Sequence, residues 1–283
     1  MLQDNSLLDN HIDYTGRFFN TNFSQTGDHG EHCGGTIASA GNLDPTARGM
    51  APGADVIVYG PDNNNYNDVP TIYTNDGVRI TSKSYSNGVN AGYTSLARQL
   101  DQQVRQMPDL VHVFSAGNSN GSGSTPAGSQ WFNITGGHKA GKNVITVANL
   151  TYVDVVAGSS SRGPCEDGRI KPDISAVGTN VWSTIDPNTY GFKTGTSMSC
   201  PGVSGTLAQL YHAYKDLNGN VDPESALIKA AVLNTGDDLG NPGPDFIHGW
   251  GRINARRAYD IIANNQYLDC LLYTSPSPRD RSL

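Results

Sequence analysis

The feature that most constrains the fold of this chain is the alternation of short apolar runs with longer segments of helical spacing. The runs GADVIVYG, LVHVFSAGN and KNVITVANL are rich in β-branched residues, which is typical of buried strands. The segments TSLARQLDQQVRQM, TSMSCPGVSGTLAQLYHAYKDL and RINARRAYDIIA repeat their apolar residues at helical intervals. Strands that alternate with helices form a mostly parallel sheet with helices on both faces. The pattern therefore predicts an α/β fold.

The segment VDPESALIKAAVLNTG predicts both ends of one further helix. Asp222 is a favoured N-cap residue, Pro223 suits the first helical position, and Gly236 suits the position just past the last turn. In sheets of this kind, functional groups lie at the carboxyl ends of strands and at the helix starts that adjoin them. We expect the chemistry of this chain at that edge.

Charge and composition exclude several classes of protein. The formal net charge is −7 and there is no basic cluster, which argues against nucleic acid as a partner. No apolar stretch approaches the roughly 20 residues of a membrane-spanning helix, so we expect no membrane span. The four cysteines are not spaced like zinc ligands. The chain is rich in glycine, with 33 residues, but its apolar runs suffice for a folded domain.

The segment GTSMSCPG places Ser197 where a helix is expected to begin. A serine hydroxyl attacks a carbonyl only with a base in reach, a fixed position and donors for the developing oxyanion. Free N–H groups at a helix start supply such donors, and the helix dipole favours negative charge there. By itself, however, an isolated serine at a helix start is better explained as an N-cap, a role that Ser197 or Thr196 could fill.

Four segments resemble, in the same order, the motifs of the subtilisin-like serine peptidases, the subtilase family. GTSMSCP is similar to the GTSM-x-x-P serine motif, HGEHCGGTIA to the HGTHVAGTIA histidine motif, and SAGNSNG to the segment with the oxyanion asparagine. SSSRGPCEDGRIKPDISAVGTNVWST resembles the SSRGP…KPDI segment of many members. The resemblance runs from about Asp4 to Ala263. It implies a three-layer subtilisin-like fold and a serine endopeptidase that works through an Asp-His-Ser triad and an acyl-enzyme intermediate.

The resemblance also assigns roles to individual residues. It implies that Ser197 is the nucleophile and that His29, directly before a glycine, is the base, whereas His32 packs within its helix. Asn118 is the implied oxyanion donor, together with the backbone N–H of Ser197. If these roles are right, Ser197 Oγ should lie roughly 3 Å from a His29 nitrogen.

Three aspartates precede the histidine and compete for the third place in the triad. Asp4, Asp9 and Asp13 are all candidates, and the register of DNHID against the family's SHPDL segment selects Asp4. Only three residues precede Asp4, so most of the strand expected to carry it is missing. The remaining alternative is that Asp4 is simply a polar residue near the start of the chain.

The resemblance implies that a polypeptide substrate binds as an added strand between two walls. The predicted walls are formed by Ser84, Tyr85 and Ser86 on one side and by Ser115, Ala116 and Gly117 on the other. No charged residue of the sequence is clearly positioned to bind an acidic or basic substrate side chain. We therefore expect apolar or aromatic side chains at the residue before the cleaved bond, the P1 residue.

Catalysis of this kind needs no cofactor, but many subtilases bind structural calcium. Asp13, Asn42 and Asp44 offer the oxygen ligands that calcium prefers. An ordinary polar turn explains the same residues at least as well.

The resemblance finally implies a monomeric catalytic domain at residues 1–269, truncated at its N-terminus, from a protein that is secreted or held at the cell surface. We expect residues 270–283 to be a tail derived from a sequencing adaptor, since CLLYTSPSPRD back-translates to such a sequence. The alternative function is an inactive truncated subtilase that binds extended peptides without cleaving them.

Overall fold

The computed structural model describes residues 1–4, 11–20, 27–60, 65–86, 92–122 and 128–267. Within these ranges the strands are β1 (Leu2–Gln3), β2 (Phe18–Asn20), β3 (Val56–Tyr59), β4 (Ile80–Lys83), β5 (Val111–Ser115), β6 (Ile145–Leu150), β7 (Ile174–Val177), β8 (Val181–Ile185) and β9 (Thr189–Lys193). The first seven form one parallel sheet in the order β2-β3-β1-β4-β5-β6-β7, and β8 and β9 form an antiparallel hairpin. The expected tail at residues 270–283 lies outside the described residues.

Helices cover both faces of the sheet. They are α1 (Asp28–Ala38), α2 (Val69–Asp76), α3 (Ser95–Gln106), α4 (Thr196–Leu217), α5 (Ser225–Asn234) and α6 (Ala255–Ala263). Helices α1, α4, α5 and α6 pack on one face, whereas α2 and α3 pack on the other. In the parts of the chain described here, no helix combines the length and the apolar character needed to cross a membrane.

Strand β5 shows why the fold has three layers. Val113 is buried against α4 and α5, while its neighbour Phe114 is buried on the opposite face against Leu100 of α3. Successive side chains of a strand point to opposite faces, so a strand that is buried along its whole length needs cover on both sides. The α/β fold with helices on both faces is confirmed.

The shortest strand, β1, lies inside the sheet between β3 and β4. Leu2 of β1 pairs with Val58 of β3 on one side and with Ser82 of β4 on the other. Its side chain is fully buried beside α1. Two residues therefore suffice to fix the direction in which the chain enters Asp4, because neighbouring strands on both sides supply the hydrogen bonds.

The predicted start of α5 is wrong. Asp222 is not its N-cap, since the helix begins at Ser225 with Glu224 before it. The Asp222 carboxylate instead forms ion pairs with Arg79 and Lys215, each at 3.0 Å, which draw it away from the helix end. Gly236 does lie just past the last turn, as predicted, because the helix ends at Asn234 with Thr235 as its C-cap.

Candidate active site

The candidate site lies at the carboxyl edge of the sheet, where neighbouring strands end together. Asp4 follows β1, Ser84 follows β4, and Ser115 ends β5, and β1-β4-β5 is a continuous part of the strand order. The first turns of α1 and α4 meet this edge and bring His29 and Ser197 to it. Parallel topology thus gathers residues that lie far apart in the sequence.

Asp4 and His29 form a direct contact. His29 Nδ1 donates a hydrogen bond of 2.7 Å to Asp4 Oδ1, and the Asp4 side chain is 1% exposed. Burial lowers the pKa of His29, but the hydrogen bond to Asp4 and its charge outweigh burial and leave the pKa raised. The pair therefore holds the imidazole in the tautomer whose Nε2 accepts a proton.

The alternative aspartate Asp13 forms no hydrogen bond with this histidine. The Asp13 carboxylate accepts hydrogen bonds from Oγ of Ser39, the C-cap residue of α1, at 2.7 Å and from the Tyr190 hydroxyl at 2.8 Å. Asp9 lies outside the described residues.

His32 serves the structure of the hairpin. Its Nε2 lies 2.9 Å from the carbonyl oxygen of Val181 and 3.2 Å from that of Gly191, so it joins β8 and β9 to α1. Because carbonyl oxygens only accept hydrogen bonds, Nε2 must carry the proton. Burial lowers the pKa of His32 to about 4, which keeps the ring neutral at pH 7.

Ser197 is the second residue of α4, and Pro201 shapes its surroundings. Proline has no N–H, so the carbonyl of Ser197, four residues earlier, lacks its helical partner. That carbonyl instead accepts hydrogen bonds from Ser84 Oγ at 3.0 Å and from Cys33 Sγ at 3.3 Å. The proline thereby ties the start of α4 to the end of β4 and to α1.

The hydroxyl of Ser197 does not point at the histidine. It donates to the Ser84 carbonyl oxygen at 3.2 Å, and no hydrogen bond between described residues joins it to His29. Both residues do contact Cys33, whose sulfur lies 4.0 Å from His29 Nδ1 and 3.3 Å from the Ser197 carbonyl oxygen. The expected contact of Ser197 Oγ with a His29 nitrogen is therefore not formed in this structure, because the Ser84 carbonyl oxygen holds the hydroxyl.

Asn118 is oriented by the residue before the serine. Its Oδ1 accepts hydrogen bonds from the Thr196 backbone N–H at 3.0 Å and from Thr196 Oγ1 at 3.1 Å. Because an N–H can only donate, the oxygen of the carboxamide must face Thr196, and Nδ2 faces the other way. A Cβ added to Gly195 would lie 3.3 Å from that Nδ2, so the glycine keeps the space around the amide open.

A cleft of about 410 Å³ lies beside these groups. It is lined by Ser84, Tyr85, Ser86, Ser115, Gly117, Asn118, Ser119, Thr135, Thr196 and Ser197. Five of the six predicted wall residues are in this set. Ala116 is not, because its side chain is buried against Ile134 and its backbone bonds to Val147 and Thr135. Sequence reasoning missed Thr135, for which no motif gave a signal.

The three candidate calcium ligands do not form a cation site. Asp13 accepts hydrogen bonds from Ser39, Tyr190 and the Asn42 backbone N–H, so donors rather than acceptors converge on it. The Asp44 carboxylate binds Thr46 and the Trp182 indole N–H. A calcium ion needs a shell of oxygen acceptors, which this arrangement does not fit.

Comparison with known proteins gives consistent matches. The model of the Subtilase family matches residues 5–251. Thermitase of Thermoactinomyces vulgaris is 26% identical over 271 residues, covering 90% of this chain and 86% of the relative. The minor extracellular protease Vpr of Bacillus subtilis (strain 168) is 38% identical over 128 residues, which are 40% of this chain but only 15% of Vpr. The prenylagaramide maturation protease PagA has the same fold, with a TM-score of 0.75, 18% identity and 92% of each chain covered.

Proposed function

Because the chain belongs to the subtilase family, we propose that it is a serine endopeptidase in which Asp4, His29 and Ser197 act as the catalytic triad. The observation that carries the proposal is the 2.7 Å hydrogen bond between the buried Asp4 carboxylate and His29, which shares Cys33 as a contact with Ser197. A histidine held in this way has one ring nitrogen committed to the carboxylate and the other available as a base.

The reaction follows from these positions. His29 Nε2 takes the proton of Ser197 Oγ as the oxygen attacks the peptide carbonyl, and Asp4 stabilises the imidazolium that forms. The imidazolium then protonates the leaving amine, which leaves an ester at Ser197. A water molecule, deprotonated by the same imidazole, hydrolyses the ester and restores the enzyme.

Two donors serve the oxyanion. The backbone N–H of Ser197 lies in the first turn of α4, and no acceptor for it is found in the described part of the chain. The second donor is Asn118 Nδ2, which its bonds to Thr196 turn away from that residue. Both are fixed before the charge develops, which is the condition for effective electrostatic stabilisation.

The substrate is a polypeptide that binds along Ser84–Ser86 as an added strand. The opposite wall shapes the cleft instead of pairing with the substrate, since the Gly117 N–H donates to Thr196 Oγ1 and its carbonyl accepts from the Ser161 N–H. The reaction requires no cofactor. We place the protein outside the cell, as Vpr is by its name, and expect it to work as a monomer.

The test is hydrolysis of casein by the protein and by two matched variants. Ser197→Ala removes the proposed nucleophile and should abolish cleavage. Ser204→Ala makes the same change two turns further along α4, where the hydroxyl only donates to the Cys200 carbonyl oxygen, and should retain activity. If the folded wild-type protein binds casein peptides without cleaving them, the inactive peptide-binding alternative is correct.

A further inference from the structure

A lysine lies directly behind the floor of the cleft. Lys139 is fully buried, and its Nζ donates hydrogen bonds of 2.9 Å to Ser86 Oγ and 2.9 Å to Thr135 Oγ1. A longer bond of 3.5 Å runs to Ser115 Oγ. All three hydroxyl residues line the cleft. A single layer of hydroxyl groups therefore separates the amine from the space that a substrate side chain would enter.

The two other fully buried lysines of the described chain are stabilised in ways that Lys139 is not. Lys171 forms an ion pair with Asp173. Lys83 Nζ lies 4.9 Å and 5.1 Å from the ring centroids of Tyr66 and Phe114. Lys139 has neither a carboxylate nor an aromatic ring as a partner among the described residues.

The two stretches that follow Ser86 and Ser122 in the sequence do not add a negative charge. Residues 87–91, which follow Ser86, read NGVNA, and residues 123–127 read GSTPA, so neither stretch contains a carboxylate. Burial lowers the pKa of Lys139 to about 7, the expected result for an amine without a counterion. An anion brought into the cleft would offset that cost of burial.

Because the Lys139 amine donates to the hydroxyl oxygens, a hydroxyl proton remains available to donate into the cleft. Ser86 Oγ and Thr135 Oγ1 both accept from Lys139 and lie 2.5 Å from each other. When Thr135 donates to Ser86, the Ser86 proton is free to point elsewhere, and Ser86 is exposed at the cleft. The floor thus presents a hydroxyl donor backed by a cation, which suits a carboxylate acceptor.

We infer that the cleft selects substrates with a glutamate or aspartate at P1, and that Lys139 is the residue that determines this specificity. The inference rests on the proposed peptidase function and concerns the same site. It replaces the expectation of apolar or aromatic P1 residues, because an apolar side chain would leave the cation behind Ser86 and Thr135 without a counterion.

The experiment measures kcat/KM for chromogenic tetrapeptides that differ only at P1, with glutamate, glutamine, leucine or phenylalanine. Glutamate and glutamine have nearly the same shape, so their ratio isolates the charge. We expect the wild-type protein to prefer glutamate over glutamine by about 10-fold or more, the size of a charge-assisted hydrogen bond. Leucine and phenylalanine should be poorer substrates than glutamate.

Variants locate the source of the preference. Lys139→Met keeps the length of the side chain and removes its charge, and the glutamate-to-glutamine ratio should fall to about 1. Ser86→Ala, at an exposed position, should lower the same ratio without threatening the fold. Lys83→Met is the matched control, since it removes another buried lysine whose amine bonds to Thr81 and His112 instead of the cleft hydroxyls, and the ratio should persist.

The outcomes separate the inference of acidic P1 specificity from the proposal that the protein is a peptidase. A wild-type ratio near 1, or a preference for leucine or phenylalanine, overturns the inference whether or not the variants fold. A high ratio that survives in folded Lys139→Met also overturns it. If none of the four peptides is cleaved and a fluorophosphonate does not label Ser197, the peptidase proposal itself fails.

Discussion

Replacement of Thr196 by valine should lower kcat only because Thr196 no longer orients the Asn118 carboxamide. Thr196 Oγ1 accepts from the Gly117 N–H at 3.1 Å and donates to Asn118 Oδ1 at 3.1 Å. Valine has nearly the same shape but can do neither. The Asn118 carboxamide then keeps only its 3.0 Å bond from the Thr196 backbone N–H, and the direction of its Nδ2 is less well fixed.

The magnitudes follow from these bonds. The Gly117 N–H is left buried without an acceptor, which should lower the free energy of unfolding by about 1–3 kcal/mol. Complete removal of an oxyanion donor costs about 100- to 1,000-fold in kcat, a value known from this same family. Since Thr196→Val loosens the donor but does not remove it, we expect kcat to fall about 5- to 20-fold with little change in KM.

A double-mutant cycle tests the reasoning. We would measure kcat and KM for Thr196→Val, Asn118→Leu and the double variant, and urea unfolding for each. If Thr196 acts through Asn118, the double variant is no slower than Asn118→Leu. Thr206→Val, in the same helix, is the control, because its hydroxyl only donates to the Gly202 carbonyl oxygen and its loss should leave kcat unchanged. Fully additive losses in kcat would refute the coupling.

Three further predictions concern other parts of the site and its support. Asp4→Asn should lower kcat by about 10⁴-fold, as in other triad peptidases. Its residual activity should extend to lower pH, because the pKa of His29 is no longer raised by Asp4. A pH profile whose acidic side does not shift would contradict this. Mercurials should inhibit by crowding His29 from the buried Cys33 sulfur, 4.0 Å away, and Cys33→Ala should be resistant; full activity of completely labelled protein would exclude the effect. Gly49→Ala should lower the free energy of unfolding by about 3 kcal/mol or more, because its Cβ would lie 2.5–2.6 Å from backbone atoms of three residues, whereas Gly53→Ala, with nothing within 4 Å, should be neutral in urea unfolding.

The sequence predicted those parts of the fold that local pattern determines. The range TSMSCPGVSGTLAQLYHAYKDL coincides with α4, because a long periodic segment leaves little freedom in where a helix begins. Strand β1 was implied only by the family resemblance, since Leu2 and Gln3 carry no periodicity and form a strand because β3 and β4 pair with them. The misplaced start of α5 has a similar cause, since one ion-pair partner of Asp222, Arg79, lies far away in the sequence.

The residues of the candidate site fall into two groups, those that local motifs identify and those that only tertiary packing brings together. His29, Ser197 and Asn118 were identified by motifs, which encode helix starts and turns within a few residues. Thr135 and Lys139 were not, because they meet Ser86 only through the packing of segments some 50 residues apart. The rotamer of the Ser197 hydroxyl also lies beyond any motif, since it depends on the Ser84 carbonyl oxygen 113 residues away.

The central claim is that Asp4 and His29 activate Ser197. Its most direct test is the rate of phosphonylation by a fluorophosphonate across pH, with the labelled residue identified by mass spectrometry. The account predicts a label on Ser197, formed at a rate that falls as pH drops through the raised pKa of His29 and that is far slower in Asp4→Asn. A label on another residue, or an equal rate in Asp4→Asn, would contradict it.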